Sequence, residues 1–409
     1  MALPGWAGTL SRDGWLLFAT YGLRLFAYGF VSVVLGLYLA GLGFEPWRIG
    51  VVFTAALAGG AVTTGLLGTI ADRVGRRRVL VLGAALMALA GAVFALSESF
   101  PLLLAAAFFG TVSPSGREVG PFLSIEQAML PQTTDDEHRT GVFSAYNVVA
   151  SGIGALGSLC AGLPALLGLE PQAGYRALMW AYAAVGLLLA LLFSRLSDRV
   201  EAPAARRGET PSVGVDRSPP TVLTLAGLYA LDSLGSGLVV QSTVSYWFHV
   251  RHGIDVKGLG AIAFGTDALA TASFVAAPWV AGRVGLLNAA VLTHLVGSVF
   301  LVLVPLMPTW QLAVGAWLAR YAFAQMDVPA RQSYTMAILP EDERAAASGW
   351  LSAARNTASA VAPSLAGIAL GASFAALPFV AAAGLKAAFD AGTYLLFKDV
   401  RPPEERPPA

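Results

Sequence analysis

Long apolar runs recur along the whole 409-residue chain, and they constrain its fold more than any other feature. Many of these runs reach the roughly 20 residues that an α-helix needs to cross the hydrocarbon core of a bilayer. Only 12% of the residues are charged, whereas soluble domains carry about a quarter charged residues. The chain is therefore predicted to be an all-α integral membrane protein. A β-barrel is disfavoured because its strands are short and alternate in polarity.

Hydropathy predicts about twelve transmembrane helices. The predicted spans are 14–40, 47–71, 79–97, 101–130, 141–167, 173–195, 221–248, 257–281, 287–306, 310–339, 345–372 and 374–397. A polar stretch that contains proline separates the sixth span from the seventh and indicates a linker. We therefore expect an N-terminal six-helix bundle over 1–195, a cytoplasmic linker over 196–220, and a C-terminal six-helix bundle with a short cytoplasmic tail over 221–409.

Basic residues are distributed unequally between the two predicted sides of the membrane. Sixteen fall in the inner loops and tails, against four in the outer loops, Arg48, Arg176, Arg251 and Lys257. Because cytoplasmic loops are enriched in Lys and Arg, we expect a multi-pass protein of the plasma (inner) membrane with both termini in the cytoplasm. The net charge of +1 gives no indication of a nucleic-acid partner, and the single cysteine, Cys160, excludes a multi-cysteine metal site. No cofactor or metal is expected.

The two halves of the chain resemble each other at a nearly constant offset. The matching segments are YGLRLFAYGFV (21–31) with YALDSLGSGLV (229–239), GFE (43–45) with GID (253–255), ADRVG (71–75) with AGRVG (281–285), and REVGPFLSIEQAMLP (117–131) with MDVPARQSYTMAILP (326–340). Four matches in the same order predict an internal duplication of six spans. They also predict that 115–131 is the inner half of a continuous fourth helix, bent near Gly120.

The segment GTIADRVGRRRVL (68–80) lies in the predicted inner loop between the second and third spans. Its spacing and position, with the twelve-span duplication, resemble the major facilitator superfamily, whose signature reads G-x-L-A-D-R-x-G-R-R-x-x-L; only Ile70 departs from it. The resemblance implies two six-helix bundles that rock about a central site open to each side in turn. It also implies a conformational latch on the inner side, to which we assign Gly68, Asp72, Arg73, Gly75, Arg76, Glu126, Arg139 and Arg344. The alternative is that this loop is only a topological anchor.

A second family pattern, an antiporter motif, is resembled by GIGALGSLCAG (152–162) in the fifth span. Ser158 stands where that motif has proline, which argues against a drug/proton antiporter. The alternative interpretation is that these small residues allow close helix packing.

Ionisable residues also fall within the predicted spans, where each costs at least about 2.5–3.5 kcal/mol to insert. Arg24 and Asp232 hold duplicated positions in spans 1 and 7 and are candidates to pair with each other. Glu118 and Asp327 are likewise equivalent in spans 4 and 10, and the resemblance implies that these four spans line the central cavity. The predicted substrate-binding or coupling residues are Arg24, Tyr28, Arg117, Glu118, Asp232, Gln241, Asp327, Lys386 and Asp390. Lys386 and Asp390, at i,i+4 spacing, are alternatively a structural pair.

We expect a monomeric secondary transporter that moves a small organic solute by alternating access, coupled to proton flow and in the direction of efflux. Glu118 or Asp327 is expected to carry the proton, because desolvation favours the neutral form of a carboxyl group. The alternatives are an uptake facilitator for a sugar or metabolite and a membrane sensor that no longer transports. An enzyme is not expected, since the sequence offers no convergent nucleophile, base or metal cluster.

Overall fold

The structure, a computed structural model, describes residues 10–135, 138–201, 218–340, 343–372 and 374–400. These described ranges are mainly helical and contain no β-strand. Nine of their helices are long and apolar enough to cross a membrane. The predicted all-α membrane fold is confirmed.

The helices follow one another along the chain with short connections. They are α1 (Arg12–Gly41), α2 (Pro46–Val74), α3 (Arg76–Leu96), α4 (Phe100–Phe109), α5 (Phe122–Met129), α6 (Arg139–Cys160), α7 (Leu163–Leu166), α8 (Pro171–Ser194), α9 (Pro219–Leu238), α10 (Gln241–His252), α11 (Val256–Val284), α12 (Leu286–Leu306), α13 (Trp310–Ala324), α14 (Asp327–Ile338), α15 (Arg344–Gly371) and α16 (Leu377–Phe397). Short 3₁₀ turns cover Leu130–Thr133 and Asp198–Val200.

The predicted continuous fourth helix is wrong. The span consists of the two short helices α4 and α5, and residues 110–121 between them, called here the break segment, are not helical. Three of its residues have positive φ angles, Thr111 at 53°, Gly116 at 70° and Gly120 at 91°. Pro114 and Pro121 also lack the N–H that a helix requires. Arg117 and Glu118 therefore lie on irregular backbone between two half-helices, instead of on a helix face.

The tenth span is also interrupted, between α13 and α14. Pro329 is the third residue of α14, where the backbone N–H of a helix has no intrahelical acceptor. In one continuous helix its ring would clash with the carbonyl group of Gln325. The break thus follows from the position of this proline.

The seventh span breaks between α9 and α10, and this break coincides with a boundary between two compact units. Unit 1 comprises Met1–Thr210 and Gln241–Phe264, and unit 2 comprises Pro211–Val240 and Gly265–Ala409. The compact units thus differ from the predicted bundles by the segment 241–264. That segment is bound within unit 1, where the Ser242 N–H donates to Pro114 O at 2.9 Å and its hydroxyl donates to Ser32 O at 2.8 Å.

Small residues bring helices into close contact in both units. A Cβ atom added to Gly29 of α1 would lie 2.2 Å from Gly154 O of α6, and one added to Gly157 would lie 2.1 Å from Phe26 O. In unit 2, a Cβ atom on Gly237 of α9 would lie 2.5 Å from Ser359 O of α15. Gly29 and Gly237 are equivalent residues of the duplicated segments, so the two units use the same helix crossing.

We expect Gly157→Ala to lower the thermal midpoint of the purified protein in detergent. The added methyl group would clash with the backbone of α1, and the clash is relieved only if α1 and α6 move apart. The matched control is Gly152→Ala in the same helix, where an added Cβ atom has no atom within 4 Å. Fluorescence-detected size-exclusion after heating measures both. Equal midpoints for the two variants would contradict the close α1–α6 contact.

Candidate functional sites

A charge cluster in unit 1 is built around Arg24, which is fully buried on α1. Its Nε lies 3.1 Å from both carboxylate oxygens of Glu118 in the break segment. Its Nη1 and Nη2 donate to the two oxygens of Glu126 on α5, at 2.9 and 2.5 Å. One guanidinium group therefore binds two carboxylates, and the second of these pairs has the bidentate geometry that arginine favours.

The two glutamates of this cluster differ in their surroundings. Glu126 is fully buried, and it also accepts from the hydroxyl groups of Tyr146 at 2.9 Å and Thr20 at 3.3 Å. The Glu118 side chain keeps 12% exposure, and its carboxylate binds Arg24. With both acids ionised the cluster has a net charge of −1, and one proton makes it neutral. Glu118 is the more accessible place for that proton.

Hydrogen bonds to its carbonyl groups hold the break segment in unit 1. Tyr28 donates to Val119 O at 3.3 Å and Tyr182 donates to Thr111 O at 3.2 Å. The hydroxyl group of Ser113 donates to Arg117 O at 2.6 Å. These bonds satisfy backbone groups that a helix would have paired, which a membrane interior requires. Tyr28, predicted to bind substrate, is buried in this structural contact.

The charge cluster in unit 2 is built around Asp232 of α9. One of its oxygens accepts from Lys386 of α16 at 2.7 Å and the other accepts from Arg331 of α14 at 2.9 Å. Lys386 also donates to the Ser236 hydroxyl group at 2.7 Å. Arg331 lies 3.4 Å from Asp327 of its own helix. This cluster therefore joins helices of the seventh, tenth and twelfth spans.

His294 of α12 connects Asp390 to the same cluster. Its Nδ1 lies 2.8 Å from Asp390 Oδ1, and its Nε2 lies 3.4 Å from Asp232 Oδ1. Lys386 and Asp390 were predicted to be able to pair along α16, but each instead binds a residue of another helix. Sequence reasoning missed Arg331, although it stands at i+4 from Asp327, and it assigned His294 no role in binding or coupling.

Arg24 and Asp232, predicted to pair with each other, each bind oppositely charged residues of their own unit. The remaining predicted residues are more peripheral. The Arg117 side chain is exposed beside Glu118. Gln241 begins α10, and its amide donates to the Ser245 hydroxyl group at 3.1 Å.

The predicted latch region in unit 1 forms around the turn between α2 and α3. Gly75, at φ 112°, makes the turn, and Asp72 pairs with Arg76 Nε at 2.7 Å. The Glu201 carboxylate accepts from the backbone N–H groups of Arg76 and Arg77, at 2.7 and 3.1 Å. A carboxylate at a helix N-terminus is stabilised by the unpaired N–H groups there. Glu201 was not predicted from the sequence. The run of three arginines that opens α3 is the feature that could have indicated an acidic partner at this turn.

The other predicted latch residues take separate places. Glu126 is not at this turn, because Arg24 holds it inside unit 1. Arg73 is exposed, and an added Cβ atom at Gly68 would lie 3.8 Å from the Ser124 hydroxyl oxygen. Arg344, in unit 2, donates to Leu339 O at 3.3 Å. Arg139 begins α6, but its side chain lies outside the described residues.

A cleft of about 700 Å³ lies in unit 1 near the C-terminal end of α1. Its lining is mostly apolar, and Gln172, Tyr175, His249 and Asp255 add polar groups. A cavity of this size and character is typical of small-molecule sites. None of the predicted substrate residues lines it. Within the described ranges, no three His, Cys, Asp or Glu side chains are grouped so that they could hold a metal ion.

The long apolar helices and the charge clusters buried among them are those of a multi-pass membrane protein. The profile of the Major Facilitator Superfamily matches residues 17–325. The chain therefore belongs to the major facilitator superfamily, as the signature between α2 and α3 predicted.

Three known proteins illustrate the similarity. An uncharacterized membrane protein of Saccharomyces cerevisiae is 29% identical over 395 residues, which cover 88% of each chain. Multidrug resistance protein MdtL of Escherichia coli (strain K12) is 32% identical over 168 residues, 41% of this chain and 40% of MdtL. The crystal structure of the nucleoside transporter NupG has a TM-score of 0.75 at 14% identity, covering 95% of this chain and 99% of NupG. The likeness to NupG shows a shared fold.

We expect Arg24→Gln to lower the free energy of unfolding by about 3–5 kcal/mol, because it leaves two buried carboxylates without their cation. Arg24→Lys keeps the charge but cannot contact both carboxylates with a planar fork, so its loss should be intermediate. Thermal midpoints in detergent rank the stability of the wild-type, Arg24→Lys and Arg24→Gln proteins. The control is Arg117→Gln, an exposed change expected to cost no more than about 0.5 kcal/mol. An Arg24→Gln protein as stable as this control would contradict the cluster.

Proposed function

We propose that the protein is a monomeric, proton-coupled secondary transporter that exports a small organic solute by alternating access. The proposed setting is the plasma (inner) membrane, with both termini in the cytoplasm. The observation that supports coupling most directly is the cluster of Arg24, Glu118 and Glu126, whose net charge changes between −1 and zero with one proton. The similarity of part of the chain to MdtL, named a multidrug resistance protein, supports export of organic solutes.

Glu118 is the proposed proton carrier of unit 1. Glu126 accepts four hydrogen bonds from three residues, whereas Glu118 binds one Arg24 nitrogen and retains some exposure. A proton on Glu118 therefore breaks fewer contacts than a proton on Glu126. Because Glu118 lies in the break segment, weakening its bond to Arg24 frees irregular backbone and requires no helix to unwind. Asp327 is the corresponding alternative in unit 2, where Arg331 lies 3.4 Å away.

We expect Glu118→Gln to abolish solute movement driven by a pH gradient while preserving solute exchange without a gradient, because glutamine keeps the shape but cannot exchange a proton. Proteoliposomes that contain the pH-sensitive dye pyranine report proton flow. Ethidium, benzoate and uridine are tested as a cationic, an anionic and a neutral solute. The solute that raises the thermal midpoint of the protein is used in the flux assay.

The matched control is Glu98→Gln, which removes an exposed partner of Arg176 in the same unit. This variant should keep gradient-driven flux. Gradient-driven flux that persists in both Glu118→Gln and Asp327→Asn would refute carboxylate coupling at these positions. Flux that ignores the gradient in the wild-type protein would instead favour an uptake facilitator, and a solute that binds without any flux would favour a sensor.

A further inference from the structure

Two buried polar atoms on α16 take no part in the hydrogen bonds of the unit 2 charge cluster. Asp390 and Thr393 are one helical turn apart and are 1% and 7% exposed. Among the described residues, neither Asp390 Oδ2 nor Thr393 Oγ1 has a hydrogen-bond partner. Buried polar atoms nearly always have a partner in the protein or in ordered water. These two atoms therefore indicate a small polar ligand between or beside them.

Asp390 and Thr393 line the same cavity inside unit 2. The volume open to the centre of a water molecule is about 10 Å³, which is the space that one buried water requires. The other polar residues that line this cavity are Tyr229, Asp327, Arg331, Tyr334 and Thr335. A buried water needs two to four polar partners, and this lining supplies them. The cavity thus fits a single water molecule and is too small for an organic solute.

Asp390 also differs from its acidic neighbours in how its charge is compensated. Both oxygens of Asp232 accept from cations, and Asp327 pairs with Arg331. Asp390 instead binds a histidine through Oδ1 and leaves Oδ2 unpartnered. A proton added at Oδ2 removes a buried negative charge and leaves the contact between Oδ1 and His294 in place.

The charged groups around Asp390 come from α9, α12 and α14 and from α16 itself. His294 of α12 lies at Oδ1, and Asp232 of α9 lies behind the histidine ring. Asp327 and Arg331 of α14 share the cavity. Lys386, on the same helix, is held by Asp232. The two cations are thus bound to aspartates other than Asp390, so protonation of Asp390 leaves these pairs intact.

We propose that Asp390 takes up and releases a proton through one water molecule that it holds together with Thr393. As the water receives a proton from the solvent, it gives one of its own protons to Asp390 Oδ2, where an O–H bond forms. The relaying molecule thus remains a neutral water, and the His294 ring continues to bind Oδ1. On release this O–H bond breaks and the proton returns through the water to the solvent. The inference rests on the proposed proton coupling, in which Asp390 is a proton site separate from Glu118.

Infrared difference spectra of the full protein in liposomes, recorded between acid and alkaline pH, test this site. A protonated carboxyl group has a C=O stretch separate from that of carboxylates. We expect one such band to disappear in Asp390→Asn and to shift in frequency in Thr393→Val, a change of similar shape that removes the hydroxyl partner of the water. The same band should shift when H₂O is replaced by D₂O. It should be unchanged in Glu118→Gln.

A titrating spectrum in Asp390→Asn identical to that of the wild-type protein would overturn the proposal. So would the absence of any band shift in Thr393→Val, a variant that keeps every charge and so remains informative if Asp390→Asn fails to fold. Gradient-driven flux distinguishes this failure from that of the proposed function. If solute flux responds to a pH gradient but the infrared spectrum has no band from Asp390, only the present inference is overturned. If the Asp390 band is present but flux does not respond to a pH gradient, only the proposed coupling is overturned.

Discussion

The buried guanidinium group of Arg24 is the interaction on which the architecture of unit 1 depends. A charge at this depth requires partners, and Glu118 and Glu126 both bind it. These acids are eight residues apart, so one continuous helix would separate their backbones by about 12 Å along its axis. In the structure the break segment brings Glu118 to Nε of Arg24 while α5 presents Glu126 to the other nitrogens. The irregular backbone therefore allows one guanidinium group to bind both acids, and buried hydroxyl groups satisfy carbonyl groups of the break segment.

The duplicated half solves the same problem with the charges reversed. Asp232 occupies the position that corresponds to Arg24, and the cations come from the tenth and twelfth spans. The scaffold is otherwise retained: Tyr21 lies 5.3 Å from the Arg24 guanidinium, and its equivalent, Tyr229, lies 5.1 Å from that of Arg331. Duplication therefore preserved the helix crossings and the aromatic support but not the sign of the central charge. The central buried residue is consequently a cation in unit 1 and an anion in unit 2.

The all-α membrane fold and the family followed from the sequence, because apolar length and the spacing of a signature motif are properties of single segments. The three broken spans did not, because hydropathy averages over a window and the glycine and proline residues near Glu118 are compatible with either a bend or a break. The partners of the buried charges were harder still. Lys386 and Asp390 satisfy the i,i+4 rule, yet residues of other helices bind both. Such contacts depend on tertiary packing, which local spacing does not encode.

Protonation has different physical consequences at Glu118 and at Asp390. At Glu118 a proton weakens a bond to Arg24, and that bond attaches the break segment to α1. At Asp390 a proton occupies an oxygen with no partner among the described residues and leaves the ion pairs of Asp232 with Arg331 and Lys386 in place. The first event changes how a piece of backbone is held, whereas the second changes only the charge stored in unit 2. The proposed coupling of proton binding to a change of state needs the first kind of event. We therefore propose Glu118, rather than Asp390, as the residue through which a proton alters the conformation.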